Sequence, residues 1–226
     1  MIETVVVQMP AETAIEKRDR TLIAFTAITG IRDGALVTLK LKHFDAERSL
    51  VLQNPLEVAT KFGKRIDTFL FPLSDHLETI VLDWVRDLSE DMLFGDQGPL
   101  FPKTALGQDE NNCFQPIGLS REPWANASPM RKIFKAAFAA AGLPLFTPHS
   151  FRDMIVSEAY RRKLPPNELK AWSQNLGHEG LLTTLTSYGK LSVEEQGQLV
   201  RKRSNDPDDA PLTRSDLEKI LRKRGL

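Results

Sequence analysis

Helix start and stop signals recur along this chain and bracket a single β-textured stretch, a punctuation that restricts the fold to a mainly helical domain carrying a small sheet. Ala11 to Thr29 follows Pro10, places Ile15, Leu22, Ile23, Phe25 and Thr26 roughly on one face, and stops at Gly30. Asp33 to Lys42 predicts a second, short helix with Ala35, Leu36, Leu39 and Leu41 as its apolar residues. From Ser49 to Pro72 the texture turns to β. Leu50-Val51-Leu52, Val58 to Lys61 and Ile66 to Phe71 are separated by turns near Asn54-Pro55 and at Phe62-Gly63-Lys64, which predicts about three antiparallel strands. Ser74 then caps a helix with Leu77, Ile80, Val81, Trp84, Val85 and Leu88 apolar. Phe94 to Ala127 is rich in Gly, Pro, Asn and Asp and too long for an ordinary connection, so it reads as a functional loop or an insertion. Ser128-Pro129, Thr147-Pro148 and Pro165-Pro166-Asn167 each start a further helix, ending near Gly142, Arg162 and Asn175. Ser192 with Glu195, and Ser215 with Glu218 after the breaker run Asn205 to Asp209, form two more helix-start boxes. The expected class is α+β, mainly α, with a three-stranded antiparallel sheet.

With 226 residues, 41% of them hydrophobic, the chain is one domain, or one with a small appendage, and has enough apolar content for a real core. Cys113 is alone, so neither an intrachain disulfide nor a thiolate metal site is available, and a reducing compartment is the default. No apolar run approaches the ~18 residues a membrane helix needs, and Met1 to Pro10 lacks the basic start of a signal peptide, so a cytoplasmic protein is expected. The formal charge of zero hides blocks. Residues 17 to 65 hold ten Lys and Arg against five Asp and Glu, residues 131 to 172 hold eight against three, and residues 73 to 112 hold two against nine. A fold that joins the two basic blocks and turns the acidic one away presents a face suited to phosphates; solvated helix faces account for the same counts.

Four groups of residues stand out for their chemistry. His149 and Arg152, three apart in the first turn and a half of a helix, share a face where backbone N–H groups already favour an anion. The pair alone also fits a capped surface helix with an ordinary His and Arg. Arg32 follows the Gly30 stop with Ile31 alone between them, on short and defined backbone that suits bidentate phosphate recognition. Lys61, Lys64 and Arg65 flank the Phe62-Gly63 turn at a hairpin tip, placed to put a cation into a groove or simply to keep the tip soluble. Finally, Leu176-Gly177-His178 is followed ten residues later by Tyr188, in a Thr- and Ser-rich segment rather than an apolar stripe. A phenol with pKa near 10 becomes a useful nucleophile only when cations stabilise its anion and a base takes its proton. Two arginines and a histidine supply that.

Taken in order, these motifs resemble the catalytic domain of the tyrosine recombinases, the phage and plasmid integrase family, over about residues 17 to 200. Thr29-Gly30-Ile31-Arg32 is similar to the family's first-arginine motif and Pro148-His149-Ser150-Phe151-Arg152 to its second. Thr60-Lys61-Phe62-Gly63-Lys64 is similar to its hairpin lysine, Leu176-Gly177-His178 to its third histidine motif, and Tyr188 to its nucleophile. The resemblance implies a DNA strand-breaking and rejoining enzyme with Arg32, Lys61, His149, Arg152, His178 and Tyr188 as catalytic residues, and neither metal nor cofactor. Lys64 is the alternative proton donor, His149 and His178 are exchangeable in role, and Lys64, Arg65, Arg131 and Lys132 are expected DNA contacts. It further implies double-stranded DNA as partner and a homotetramer on DNA, joined through the C-terminal helix, in the cytoplasm at the nucleoid.

The chain departs from the pattern in two places. Ala35 stands where the family usually has an acidic residue, with Asp33 nearby, and His178 to Tyr188 is one residue longer than the usual spacing. The expected division is a linker at 1–16, the catalytic domain at 17–204 and a tail with a basic helix at 205–226, without the family's N-terminal clamp, so DNA binding by this chain alone is expected to be weak and salt-sensitive. A DNA-binding relative that has lost catalysis, and a nicking enzyme like the type IB topoisomerases, are the competing readings. A metal hydrolase using two of His43, His76, His149 and His178 is disfavoured, because no HExxH-type spacing exists and no paired carboxylate accompanies them.

Overall fold

The computed structural model describes residues 2–178 and residue 197. Tyr188, the Ser192 and Ser215 helix starts and the expected tail lie outside the described residues. The chain divides into Met1–Tyr188 and Gly189–Leu226, and every element named below belongs to the first unit.

Helix α1 (Ile2–Gln8), in a segment expected to be linker, buries Ile2, Val5 and Val6 in the main core. The Val cluster has an apolar surface to cover, and Arg20 ties it down by donating to the Val6 carbonyl at 2.9 Å. Helix α2 (Ala14–Thr29) is started by Thr13 and Glu16, whose side chains each accept the other's backbone N–H. Its last nine residues are all buried, so it is the central element of the domain rather than a one-faced surface helix. Thr26 and Thr29 are tolerated there because their hydroxyls donate to Leu22 O and Phe25 O at 2.7 and 2.6 Å.

The helix expected over Asp33 to Lys42 is only α3 (Asp33–Leu36). Beyond it the backbone pairs with the acidic segment: Leu100 N donates to Leu39 O and Leu41 N to Gly98 O, both at 2.9 Å. Those cross-chain bonds satisfy the groups a longer helix would have used. The sheet is antiparallel in the order β1 (Phe44–Asp45), β2 (Leu50–Gln53), β3 (Ile66–Phe69), with Val51 opposite Thr68. The count of three strands matches expectation, but Val58 to Lys61 is not one of them. Asn54 takes that segment into a turn: its carbonyl accepts from Glu57 N and Val58 N, its side chain accepts from Leu56 N, and Val58 is buried as the anchor of the turn. Burial satisfies Val58, and the missing strand is Phe44–Asp45 instead.

Helix α4 (Asp75–Arg86), capped by Ser74, buries Leu77, Val81 and Trp84 against α2. The expected loop at 94–127 contains a hairpin, β4 (Thr104–Gln108) and β5 (Phe114–Leu119), with an irregular register between Ala105 and Leu106. Gly107, Pro116 and Gly118 broke the alternation by which strands are read, and Asp109 makes the turn by accepting from Asn111 N and Cys113 N. Helix α5 (Ser128–Ala140) begins at Ser128, one residue earlier than expected, so the cap position is Ala127, and Asn126 Oδ1 accepts from Ser128 N at 2.8 Å. Helix α6 (Pro148–Arg161) starts as expected at Thr147, whose hydroxyl accepts from Ser150 N, and packs on α2.

Helix α7 (Pro166–Asn175) ends against the sheet. Asn175 Oδ1 accepts from Phe69 N at 2.7 Å and Asn175 Nδ2 donates to Phe69 O at 2.8 Å, the two bonds a neighbouring strand would make. The edge of β3 is thereby closed by a side chain, and the Leu176-Gly177-His178 segment is fixed to the hairpin that carries the lysines.

Candidate active site

Gly30 is the hinge on which the site is built. It ends α2 in the left-handed region at a φ of 62°. A Cβ there would lie 2.8 Å from Leu176 Cδ2 and 2.9 Å from Ile155 Cδ1. Glycine is needed both for the dihedral and for the close approach of α6 and the end of α7. That approach brings two carbonyls to one guanidinium: Arg152 donates from Nη1 to Gly30 O and from Nη2 to Leu176 O, each at 2.6 Å. Arg152 is only 5% exposed.

Its Nη2 also lies 2.9 Å from His178 Nε2. A guanidinium has only N–H donors, so Nε2 is the acceptor and the imidazole keeps its hydrogen on Nδ1. These contacts occupy three of the five N–H donors that a guanidinium carries and hold the group with neutral acceptors, so its charge remains available to an anion. Burial first, and then the neighbouring Arg32, lower the Arg152 pKa to about 10, with Asp153 pulling the other way. It stays cationic at neutral pH.

Arg32 caps α3 in an extended conformation and is half-buried, which lowers its pKa. Among the described residues no carboxylate pairs with it. Ala35, at the position where the family usually has an acidic residue, is buried in the core. Asp33 spends its carboxylate elsewhere: Oδ2 accepts from Arg131 Nε at 2.8 Å and from Arg131 Nη2, and Oδ1 accepts from Gly34 N.

Arg32 lines two adjoining clefts. One is shared with Asp33, Arg131, Thr147, His149 and Arg152, with His149 exposed in the first turn of α6. The other is shared with Lys61, Phe62, Lys64, Arg65, Gln174 and His178. Arg32, Lys61, His149, Arg152 and His178 are thus brought together from four separate stretches of sequence, with Lys64, Arg65 and Arg131 beside them. Lys132 is not: it borders an apolar groove with Val5, Met9, Ala136 and Asp19. Tyr188 lies outside the described residues. Among the described residues no three His, Cys, Asp or Glu side chains gather as a metal site, and His43 is buried, accepting from Lys40 N and contacting Glu57. No described helix is long and apolar enough to cross a membrane.

Residue types alone did not reveal the carbonyl seats of Arg152 or the Asn175 clamp. Gly30 and Leu176 were visible as parts of motifs, but nothing in a residue's identity marks its backbone oxygen as a ligand.

His178 gives a direct test of the electrostatics. Burial, then Arg152, Arg32 and His149, push its pKa from the usual 6.5 down to about 4. The unfolded chain therefore binds this proton more readily than the folded one between those values. This group's contribution to stability is intact above about pH 6.5 and is lost progressively as pH falls to about 4. NMR titration of the imidazole is expected to give a midpoint near 4; a midpoint near 6.5 would contradict the packing of Arg152 on Nε2.

A family model described as the phage integrase family matches residues 3–195. A search of curated proteins finds no match. Among solved structures, the chain is similar to XerA recombinase, with a TM-score of 0.57 and 19% identity over 87% of this chain and 65% of that one. It is similar to XerH site-specific recombinase in a pre-cleavage complex with its difH substrate, with a TM-score of 0.55, 18% identity, and coverage of 88% and 51%. It is also similar to the Tn1549 transposon integrase in complex with circular intermediate DNA, with a TM-score of 0.53, 15% identity, and coverage of 88% and 62%. The likeness to these structures is one of fold, and the chain spans 51% to 65% of their lengths.

Proposed function

Because this chain belongs to the phage integrase family, we propose that it is a site-specific DNA recombinase that cuts and rejoins strands through a phosphotyrosyl intermediate. Its fold is that of a tyrosine-recombinase catalytic domain, and XerH and the Tn1549 integrase are solved in complex with DNA. The observation that carries the reading to this chain is the pair of arginines, 32 and 152, beside one cleft system with histidines and hairpin lysines and, among the described residues, with no carboxylate neutralising either guanidinium.

The chemistry follows from that charge. The Tyr188 oxygen attacks a phosphodiester phosphorus, the bond to the 5′-oxygen breaks, and a 3′-phosphotyrosyl bond and a free 5′-hydroxyl result. Negative charge builds on the non-bridging oxygens, where Arg32 and the unused donors of Arg152 meet it without reorganising. Lys61 gives its proton to the leaving 5′-oxygen, being exposed on a hairpin tip and long enough to reach, with Lys64 as the alternative. His149, exposed beside Arg152, takes the phenol's proton. His178, neutral at pH 7, hydrogen-bonds rather than stores charge. Attack by another strand's 5′-hydroxyl on the phosphotyrosine reverses the step, so exchange needs no high-energy cofactor. Arg65 and Arg131 contact the flanking backbone, Arg131 by exchanging Asp33 for a phosphate. The assembly is a tetramer on double-stranded DNA in the cytoplasm, joined through the C-terminal segment.

A duplex nicked beside the scissile position tests this, because loss of the short 5′-fragment prevents religation. The wild type is expected to accumulate a protein–DNA adduct stable to denaturant. The absence of any adduct across a panel of candidate sites would reject catalysis.

A further inference from the structure

The turn at the tip of the lysine hairpin is built on the wrong residue for its shape. Phe62 has φ 62° and ψ 20°, and Gly63 has φ 62°, so both central residues are left-handed. That is the mirror-image turn whose first position favours Asn, Asp or Gly, because a Cβ there crowds the following carbonyl. A bulky aromatic at positive φ is an outlier, and among the described residues neither burial nor ring packing compensates it. Phe62 is 76% exposed, and the ring contact it makes is with its own neighbour, Lys61 Nζ, 4.9 Å from the ring centroid. The other described non-glycine residues at positive φ sit in turns, Ser49 and Asn112, or close helices, Leu93 and Lys163. Of the five, Phe62 is the one that lines the cleft with Arg32 and His178.

We infer that Phe62 is an apolar wedge that enters the DNA beside the phosphate held by Arg32 and partly unstacks the adjoining base step. This rests on the reading of the site as DNA-cleaving and deepens it with a positioning residue. Lys61 and Lys64 on either side suit the phosphates that flank such a step, and an exposed aromatic face suits the edge or face of an unstacked base. The Asn175 clamp on Phe69 steadies the strand that leaves the turn, so a strained tip presents the ring in one place instead of collapsing onto the sheet. Because flexible pyrimidine–purine steps open most readily, the wedge also biases cleavage toward them without any base hydrogen bond.

The test uses the full chain and a nicked duplex with 2-aminopurine beside the nick, a base that fluoresces when unstacked, with binding followed separately by anisotropy. Wild type is expected to raise the fluorescence on binding. Phe62→Asn, which fits the turn, is expected to melt about 2–4 °C higher than wild type, to bind the duplex and to lose the fluorescence rise, whereas Phe62→Leu keeps part of it. A purely structural Phe62 would not separate stability from unstacking in this way. Binding with an undiminished rise in Phe62→Asn, or wild-type binding without any rise, overturns the wedge and leaves the cleavage reading standing. No wild-type binding at all defeats the cleavage reading itself.

Discussion

Replacing Arg152 with Ala is expected to lower strand cleavage by about 10²–10³-fold and at the same time to destabilise the fold by about 3 kcal/mol. The double effect follows from its two sets of contacts. On one side, in the proposed mechanism, the guanidinium offers its remaining donors to the transition-state phosphate. On the other it satisfies Gly30 O and Leu176 O, which join the end of α2 to the end of α7 and would be left buried without a partner. Arg152→Lys is expected to recover part of the charge but not both carbonyl contacts, because an ammonium cannot span the fork. Single-turnover cleavage and thermal melting on the same preparations check this. Loss of activity with unchanged melting would mean that the carbonyl seats contribute nothing.

Arg32→Ala is expected to fall as far in cleavage, about 10²–10³-fold, with a melting temperature no lower than wild type. Arg32 is half-buried, has no paired carboxylate among the described residues and repels Arg152, so on the proposed reading the free protein carries it at a cost that a bound phosphate offsets. Removing it also removes one of the charges that depress His178, so that imidazole is expected to titrate above its wild-type value of about 4. Arg32 and Arg152 are therefore separable by experiment although the proposed mechanism turns both toward the same anion. Arg152→Ala is expected to affect fold and chemistry together, Arg32→Ala chemistry alone. A lower melting temperature for Arg32→Ala would contradict the lack of a stabilising carboxylate for Arg32 among the described residues.

Helix starts were legible wherever a capping side chain or proline acts locally, as at Ser74, Thr147 and Pro166, because the interactions involved span three or four residues. The candidate site residues carry local signals of the same kind: His149 follows Pro148, His178 follows Gly177, and Arg32 lies two residues past the Gly30 that ends α2. What escaped reading was decided by distant partners. Residues 37–42 are drawn out of a helix by backbone pairing with residues 96–100, and Val58 is taken from a strand by burial beneath an Asn54 turn. The hairpin at 104–119 was hidden by the glycines and proline that shape its irregular register. The pairing of Asp33 with Arg131 spans 98 positions and has no local signature.

The most direct test of the whole account is to identify the residue that carries the DNA. The nicked-duplex adduct is isolated, digested and sequenced by mass spectrometry, with Tyr188→Phe in parallel. The nucleotide is expected on the peptide containing Tyr188, and the Phe variant is expected to yield no adduct while still binding the duplex. An adduct on any other residue, or one that persists in Tyr188→Phe, would contradict the account.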